Sequence, residues 1–300
     1  MSSHLQNLSH SQNFLRSAEL VERLVVAASL TKDDVVLEIG PGKGAITKSL
    51  AKHCKRVLAI EADKNLCVAL AQDFSAQTNV EIRHQDFLVS PLPILPYKVF
   101  SNIPFNITAD IIKKLLDSKN PPDDCYLIVQ KEAAEKYGGL RNETLFSILH
   151  KPEFRFSVQH TFKKDDFSPR PAVDTVLLRI EKLEHPLIEK HSAAAFQDFV
   201  AFGFSSMKAN LKRGYKNVFG HVQFLRLASD NGFDAEAKPT DLSFAQWLGI
   251  FRYFEKNVEG FRQAKTRGAF AKLTAQQKML QKIHRTRTAK NWQGLRSNNI

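Results

Sequence analysis

Four consecutive residues, Asn102-Ile103-Pro104-Phe105, combine a side-chain amide, main-chain carbonyls outside regular structure and an aromatic ring. This set suits chemistry at an exocyclic amine of a nucleobase, which is a poor nucleophile because its lone pair is delocalised into the ring. The Asn102 side-chain oxygen and the carbonyl of Ile103 or Pro104 can accept the two N–H bonds and leave the lone pair free for an electrophile. Phe105 can stack on a base that is swung out of its helix. The alternative is an Asn/Pro turn without chemistry.

A glycine-rich loop lies within Glu38-Ile39-Gly40-Pro41-Gly42-Lys43-Gly44. Glycines let the backbone turn tightly and approach a ligand with no Cβ in the way. The spacing Gly-x-Gly-x-Gly differs from that of dinucleotide-binding enzymes, and the loop lacks the Gly-Lys-Ser/Thr ending of a phosphate-binding P-loop. By itself it is also compatible with a structural turn.

Two acidic residues follow the next apolar segments. Glu61 stands where a carboxyl group can accept both ribose hydroxyls of a nucleoside, although a solvent-facing acid at a strand end is the simpler alternative. Asp86 can accept from an adenine amine, with Phe87 flanking the ring. The alternative for Asp86 is a helix or turn cap, which that residue taken alone favours.

The apolar segments before these residues predict the strands of one sheet. The predicted strands are Val35–Ile39, Val57–Ile60, Val80–His84, Lys98–Ser101, Cys125–Val129 and Thr175–Ile180. Helices are predicted at Ala45–Ala51, Lys64–Phe74 and Ile107–Leu116, the last with Thr108 as a candidate cap. This alternation predicts an α/β fold with a doubly wound, parallel, Rossmann-like sheet. The ligand crevice then lies at the carboxyl ends of the strands, where the four features meet. Together they predict an S-adenosylmethionine-dependent methyltransferase that acts on an amino group.

The pattern changes after Glu181, and His185–Glu255 shows helical spacing without convincing strands. We therefore predict three parts: a Rossmann-like methyltransferase domain at 1–184, a small helical RNA-binding domain at 185–256, and a basic, flexible tail at 257–300. Within the tail, one helical stripe is predicted at Phe270, Leu273, Leu280 and Ile283, which would form a basic amphipathic helix. The helical part is rich in apolar residues at that spacing, most of which we expect in its core: Phe196, Phe199, Val200, Gly203, Phe224, Leu225, Ala228, Trp247, Phe251 and Phe254.

The basic charge of the chain is concentrated at its C-terminal end. The net charge of the 300 residues is +12, and the tail carries ten Lys or Arg against the single acid Glu259. A dense basic segment is typical of a nucleic-acid partner, with an acidic membrane surface or a solvated tail as alternatives. Basic residues of the helical part, Lys208, Lys212 and Arg213, are further candidates for guiding RNA, or are ordinary surface charges.

The composition excludes several classes of protein. Apolar residues make up 43% of the chain and charged residues 25%, which is typical of a globular protein. No segment is apolar enough for a membrane span, and the N-terminus lacks the apolar core of a secretion signal. The three cysteines form no pair with the spacing of a zinc site. We therefore expect a cytoplasmic protein without a metal or a membrane partner.

The chain resembles the ribosomal RNA adenine-N6 methyltransferases, whose branches are the KsgA-type dimethyltransferases and the Erm resistance methyltransferases. The resemblance covers the chain to about Glu255. Its motifs are His10-Ser11-Gln12-Asn13-Phe14-Leu15, the glycine loop, Ala59-Ile60-Glu61, Asn102-Ile103-Pro104-Phe105, Phe167-Ser168-Pro169-Arg170-Pro171 with Val173-Asp174, and Leu242-Ser243-Phe244 with Trp247-Leu248 and Phe251. The Ser-Gln-Asn-Phe segment and the last motif look more like the Erm branch.

The resemblance implies methylation of one adenine in 23S ribosomal RNA before the subunit is fully assembled, with resistance to macrolides, lincosamides and streptogramin B. It implies no obligatory protein partner. Asn102 and Phe105 are the expected catalytic residues. The expected cofactor-binding residues are Asn13, Leu15, Gly40 with Gly42 of the same loop, Glu61, Asp86 and Asn102.

Three features depart from the family pattern. Phe105 stands where many members carry Tyr, which leaves the balance of mono- and dimethylation open, and Ser101 stands where many carry Gly. The basic tail is also longer than the compact Erm pattern. The alternatives are KsgA-type dimethylation of adjacent adenines in 16S RNA and a non-catalytic RNA-binding assembly factor. A DNA adenine methyltransferase is disfavoured because its motif usually begins Asp-Pro-Pro.

Overall fold

The computed structural model describes residues 13–205, 210–277 and 279. The chain divides into two compact units. The first combines Met1–Arg141 with Glu153–Pro186, and the second combines Asn142–Pro152 with Leu187–Ile300. The end of the first unit lies close to the boundary at 184/185 that the sequence suggests. Asn142–Pro152 belongs to the second unit, whereas the sequence analysis places it within the first domain at 1–184. The sequence does not predict this, because the segment lies between strands of the first unit.

The first unit is built on a seven-stranded sheet. Its strands are β2 (Val35–Ile39), β3 (Arg56–Glu61), β4 (Val80–His84), β5 (Lys98–Asn102), β6 (Asp124–Gln130), β7 (Phe154–Thr161) and β9 (Thr175–Lys182). Their order in the sheet is β4-β3-β2-β5-β6-β9-β7. Strands β2 to β6 pair in parallel, whereas β9 runs antiparallel to both β6 and β7. The doubly wound α/β fold is confirmed, but the expectation of an entirely parallel sheet is wrong at this edge.

Within the described residues of the first unit, the helices are α1 (Ala18–Ala27), α2 (Ala45–His53), α3 (Lys64–Asp73), α4 (Thr108–Leu116) and α5 (Lys131–Gly138). Side chains cap two of them in the usual way, since Ser17 accepts from the Leu20 N–H and Asp63 from the Asn65 and Leu66 N–H groups. The predicted Thr108 cap is wrong. Thr108 is the first residue of α4, and its hydroxyl donates to the Pro104 carbonyl at 3.4 Å.

A two-stranded sheet joins the beginning of the described chain to a distant segment. Strand β1 (Phe14–Leu15) pairs antiparallel with β8 (Phe167–Ser168). The partners are Phe14 with Ser168 and Leu15 with Phe167, and the Arg16 N–H donates to the Asp166 carbonyl at 2.9 Å. Phe167 is buried in the core beside the central sheet. The N-terminal segment is therefore fixed to the first unit by main-chain bonds.

The second unit is helical, and an aromatic cluster forms its core. Its helices are α6 (Leu145–His150), α7 (Ala193–Ser205), α8 (Leu211–Gly214), α9 (His221–Asp230), α10 (Phe244–Asn257) and α11 (Gly260–Gln263). The predicted core residues on α7, α9 and α10 are buried, except that Leu225 is 39% exposed. Leu225 lies one position away from the buried stripe formed by Phe224, Leu227 and Ala228, so that a helical turn carries it towards solvent.

The first part of the basic segment 257–300 is folded onto the second unit. The side chain of Gln263 donates to the carbonyls of Phe254, Glu255 and Val258, and Val258 and Thr266 are buried. Asp198 accepts from the main-chain N–H groups of Gly268 and Phe270 at 2.8 and 3.0 Å. Helical structure covers 269–277. The remainder of the predicted tail, residue 278 and residues 280–300, lies outside the described residues. Within the described part, no helix has the length and hydropathy that a bilayer crossing requires.

We predict that Gly203→Ala destabilises the second unit. An added Cβ would lie 2.7 Å from Cη2 of Trp247 and 2.8 Å from the Tyr215 hydroxyl, which donates to the Phe199 carbonyl at 2.6 Å. Such overpacking costs about 1–3 kcal/mol of unfolding free energy, to be measured by chemical denaturation. Gly260→Ala is the matched control, because nothing lies within 4 Å of its added Cβ. Equal stability of the two variants would contradict this packing.

Candidate active site

Two adjoining cavities in the first unit lie at the carboxyl ends of β2, β3 and β5. We call the first the Asn102 cavity, lined by Asn13–Leu15, Glu38, Asn102–Phe105 and three residues of the glycine loop (Gly40, Pro41 and Lys43). The second is the Glu61 cavity, lined by Ile60–Leu66, His84–Phe87 and Ile107. The Glu61 cavity measures about 670 Å³, within the usual size of a small-molecule site. Phe14, Gly40, Lys43 and Pro104 line both.

The structure brings most of the sequence-predicted site residues to these cavities. Asn13, Leu15, Gly40, Asn102 and Phe105 line the Asn102 cavity, and Gly40, Glu61 and Asp86 line the Glu61 cavity. Gly42 is the exception, because it lines neither. The strand ends explain this convergence, since parallel strands of one sheet present all their carboxyl ends at one rim.

The glycine loop has a conformation that only glycine adopts readily. Gly40, Gly42 and Gly44 have φ values of 66°, 59° and 76°. A Cβ on Gly42 would lie 2.6 Å from the Phe14 ring, and one on Gly44 would lie 2.8 Å from both Leu70 and Phe74. The loop thus turns in the left-handed region and packs against its neighbours at distances that exclude a side chain.

Glu61 is 2% exposed, which excludes the reading of a solvent-facing strand-end acid. Its Oε2 accepts from the Gly42 N–H at 3.1 Å, and its Oε1 accepts from the Asp63 N–H at 2.9 Å. Gly42 does not line the cavity, but its N–H group holds the Glu61 carboxyl group, which does. Each carboxyl oxygen has a second lone pair, so that Glu61 retains the capacity to accept from a ribose hydroxyl.

Asp86 caps a turn and also lines the Glu61 cavity. Asp86 is exposed, and its Oδ1 accepts from the Leu88 N–H at 2.8 Å, which is the turn-capping alternative. It also lines the Glu61 cavity, so that the turn presents the carboxyl group to a ligand. Phe87 is buried, with the Lys114 ammonium 4.7 Å from its ring centroid. The Phe87 ring is therefore held in place before any ligand binds.

Asn102 is the last residue of β5, and its side chain is fixed by a long-range contact. The Nδ2 atom donates to the main-chain carbonyl of Asn13 at 2.6 Å. Downstream, Pro104 is extended and a short 3₁₀ turn covers Phe105–Ile107. The Pro104 carbonyl accepts from the Ile107 N–H at 3.3 Å and from the Thr108 hydroxyl. The partly exposed Phe105 ring lines the cavity beside Asn102.

Ser101 supports this rim from within the sheet. The β2–β5 ladder pairs Val36 with Lys98 and Leu37 with Val99. Beyond these pairs, the hydroxyl oxygen of the fully buried Ser101 accepts from the Ile39 N–H at 2.7 Å. A side chain thus replaces a main-chain partner where the strands lead into the Asn102 cavity. A glycine at this position would lack that acceptor.

Glu38 and Lys43 line the site, and sequence reasoning assigned a role to neither. Burial raises the pKa of the Glu38 carboxyl group to about 8, and the nearby Glu61 also raises it. The Thr47 hydroxyl donates to Glu38 Oε2 at 2.6 Å. The signal was present, since Glu38 is a charged residue inside the apolar strand Val-Val-Leu-Glu-Ile. Lys43 lies over the Phe14 ring, 5.3 Å from its centroid.

We predict that Glu38 makes the free energy of unfolding fall as the pH rises from about 4.5 to about 8. A carboxyl group whose pKa is raised in the folded state is protonated there over this range, while the unfolded chain has already lost the proton. The slope approaches at most about 1.4 kcal/mol per pH unit.

Glu38→Gln keeps an acceptor for Thr47 and cannot ionise, so its unfolding free energy should lack this component. Denaturant unfolding at several pH values tests the prediction. The exposed Glu132→Gln is the control for loss of one carboxyl group. A wild-type slope in the Glu38→Gln variant would show that Glu38 does not titrate in this range.

Among the described residues, no group of three or more His, Cys, Asp or Glu side chains is placed to hold a metal ion. The partners of the basic candidates differ. Lys212 is paired with Glu236 at 2.9 Å, Arg213 is exposed, and Lys208 lies outside the described residues.

Comparison with known proteins identifies the family. The family described as "Ribosomal RNA adenine dimethylase" matches residues 3–256. An "rRNA methyltransferase" of Streptomyces thermotolerans is 34% identical over 247 residues, 81% of each chain. A "Ribosomal RNA small subunit methyltransferase A" of Listeria monocytogenes is 31% identical over 221 residues, 69% of this chain and 75% of the relative.

The crystal structure of the 23S rRNA methyltransferase ErmE is similar with a TM-score of 0.77 and 25% identity, over 81% of this chain and 100% of that one. The family match covers most of the chain, and the fold and the rim of the sheet agree with it. The chain therefore belongs to the ribosomal RNA adenine dimethylase family and is an S-adenosylmethionine-dependent methyltransferase that acts on adenine in ribosomal RNA.

Proposed function

We propose that the enzyme methylates the N6 amine of one adenine in 23S ribosomal RNA and thereby confers resistance to macrolides, lincosamides and streptogramin B. The observation that carries the proposal is the likeness to the 23S rRNA methyltransferase ErmE, which extends over 100% of that chain. The Ser-Gln-Asn-Phe segment that ends at Phe14 supports the same branch. The RNA is methylated before the subunit is fully assembled, while its adenines are accessible.

A second candidate is dimethylation of adjacent adenines in small-subunit RNA. The Listeria monocytogenes relative, whose name assigns it to small-subunit ribosomal RNA, is 31% identical and favours that RNA as the target. A non-catalytic assembly factor fits less well, because Gly40, Glu61, Asp86 and Asn102 all lie at one rim.

The two cavities fit S-adenosylmethionine. The loop conformation leaves main chain rather than side chains along the site, and the buried Glu61 offers acceptors for ribose hydroxyls. Asp86 would accept from the adenine amine beside Phe87. Asn13, Leu15 and Gly40 would hold the opposite end, in the Asn102 cavity. When bound, the cofactor supplies a methyl group on a sulfonium, from which a neutral thioether is a good leaving group.

The residues around Asn102 prepare the attacking amine. Asn102 Oδ1 accepts one N–H bond of the target adenine, and the Ile103 carbonyl accepts the other. We choose Ile103 over Pro104 because the Pro104 carbonyl already accepts from Ile107 and Thr108. These two acceptors direct the nitrogen lone pair at the methyl group, and the amine proton leaves to water after transfer. Positioning and aligned dipoles then supply the catalysis.

Phe105 holds the swung-out base by stacking. Its ring is partly exposed at the cavity, where an aromatic face can cover an adenine. Tyrosine would present the same face with an added hydroxyl. The difference therefore affects how a monomethylated amine is held for a second transfer rather than the first step.

The basic segment adds contacts to RNA phosphates, which position the substrate without reading its sequence. In the described part, Lys265, Arg267 and Lys272 are exposed on the folded end of the second unit. The residues after 277 carry six further Lys or Arg and no acid. This density of charge predicts binding that weakens steeply with salt.

The proposed target is tested by methyl transfer to protein-free 23S RNA, 16S RNA and assembled subunits, followed by mapping of the modified base. We expect one adenine of free 23S RNA to be methylated. Methylation of two adjacent adenines in 16S RNA instead would establish the second candidate.

We predict that Asn102→Ala lowers kcat by at least about a hundredfold, since it removes an acceptor aligned with the reacting amine. Phe105→Ala should lower kcat severely because it removes the stacking face. Phe105→Tyr should remain active because that face is kept.

Single-turnover assays would measure the rate for each variant, and product analysis would measure the ratio of mono- to dimethyladenine, which should respond to Phe105→Tyr. Unfolding midpoints control for misfolding. Near-native turnover of folded Asn102→Ala would refute the assignment.

We predict that truncation after Gln277 weakens RNA binding and lowers its salt dependence. The cut spares the contacts of Gln263 and Asp198, which a deletion from Asn257 would destroy. Each lost phosphate contact lowers the slope of log K against log salt by about 0.7–0.9. A full-length variant with the six terminal bases replaced by Gln is the matched control and should lose the same slope. An unchanged slope in both proteins would mean that this segment does not bind RNA.

A further inference from the structure

The N-terminal strap, which we define as residues 13–16, runs along the wall of the Asn102 cavity. It is held by the pairing of β1 with β8 and by the hydrogen bond from Arg16 to Asp166. Its Phe14 ring packs against Gly42 so closely that a Cβ there would clash. The strap is thus built into both the small sheet and the glycine loop, and its main chain has a defined position.

The contact between this strap and Asn102 fixes which way the Asn102 amide points. The Asn13 partner is a main-chain carbonyl, which can only accept a hydrogen bond. The side-chain atom that faces it at 2.6 Å must therefore be Nδ2, because Oδ1 in that place would put two acceptor oxygens in contact. The Asn102 carbonyl oxygen is consequently directed away from the strap.

The orientation leaves Oδ1 available at the site. Among residues 13–205, 210–277 and 279, no donor forms a hydrogen bond with Asn102 Oδ1. Asn13, Asn102 and Phe105 line the same cavity. A rotated amide would present Nδ2, a donor, to an adenine amine that is itself a donor, and the base could not be held for transfer.

We propose that the Asn13 main-chain carbonyl is a positioning group that sets the Asn102 amide for catalysis, so that the strap acts on turnover through Asn102. This inference rests on the role proposed above for Asn102. It assigns to the N-terminal segment a function separate from contact with the cofactor. Because the acceptor is the main-chain carbonyl of Asn13, a side-chain substitution at Asn13 does not remove it.

The direct test weakens that one carbonyl. Incorporation of phenyllactic acid in place of Phe14 converts the bond between Asn13 and Phe14 into an ester, whose carbonyl is a weaker acceptor. The matched control places leucic acid at Leu15, which weakens the Phe14 carbonyl and likewise removes one strap N–H group. We expect kcat to fall about three- to tenfold for the first protein relative to the second, as the loss of one net hydrogen bond implies.

A purely structural role would instead lower the unfolding midpoint or raise KM in both ester proteins. The Asn102 side-chain amide gives an independent signature. The chemical shifts of its ¹⁵N-bound protons should change, and these protons should exchange faster with solvent, only in the Phe14 ester. If kcat and these signals are the same in the two ester proteins, the proposal is overturned.

A genetically encoded pair covers the case in which an ester protein does not fold. Arg16→Pro removes the N–H group that donates to Asp166, whereas Arg16→Ala keeps it. In Arg16→Pro we expect kcat to fall by a larger factor than the affinity for S-adenosylhomocysteine, with both near the wild-type values in Arg16→Ala, and equal kcat values for the pair would contradict the proposal. All assays use whichever ribosomal RNA the unmodified enzyme methylates. A wrong RNA target therefore leaves this test intact, and a negative result here leaves the target assignment intact.

Discussion

The hydrogen bond from the Ile39 N–H to the Ser101 hydroxyl marks the place on which the site depends. Up to Leu37 and Val99, β2 and β5 pair through their main chains, and beyond that point a side chain makes the connection. The order of the sheet reverses between these two strands, which is where a doubly wound fold opens a crevice. The glycine loop follows β2 and the Asn-Ile-Pro-Phe motif follows β5. Residues of both segments therefore line one cavity, because the two neighbouring strands diverge at their carboxyl ends.

Buried polar groups hold this rim in shape through a small number of specific bonds. Glu61 binds the main chain of its own turn and of the glycine loop, and Glu38 is satisfied by Thr47. Burial and the neighbouring Glu61 favour the neutral form of Glu38. Two acids on adjacent strands thus serve differently, because Glu61 accepts from two main-chain N–H groups whereas Glu38 accepts from the Thr47 hydroxyl. A buried acid without such partners would cost several kcal/mol.

The C-terminal segment shows how sequence composition and structure answer different questions. Its charge predicts a polyanionic partner, which is consistent with an enzyme of ribosomal RNA. The family match ends at residue 256, yet the chain continues to fold as far as residue 277. The hydrogen bonds that hold it come from Gln263 and Asp198, two ordinary polar residues that carry no recognisable motif. The division between folded and basic parts was therefore invisible in composition alone.

The sequence by itself determined the α/β class, most strands to within one residue, and the four strand-end features. It did so because periodicity and glycine or proline chemistry are local properties. It missed β7, the antiparallel course of β9 and the transfer of Asn142–Pro152 to the second unit, since pairing partners are not encoded locally. It suggested a cap at Thr108, and that expectation was wrong. Only the tertiary structure showed that burial raises the pKa of Glu38 and that the Gly42 N–H donates to Glu61. It also showed that the Asn102 amide donates to a main-chain carbonyl 89 residues away in the sequence. Each of these depends on which distant groups share a low-dielectric space, and the order of residues along the chain does not state that.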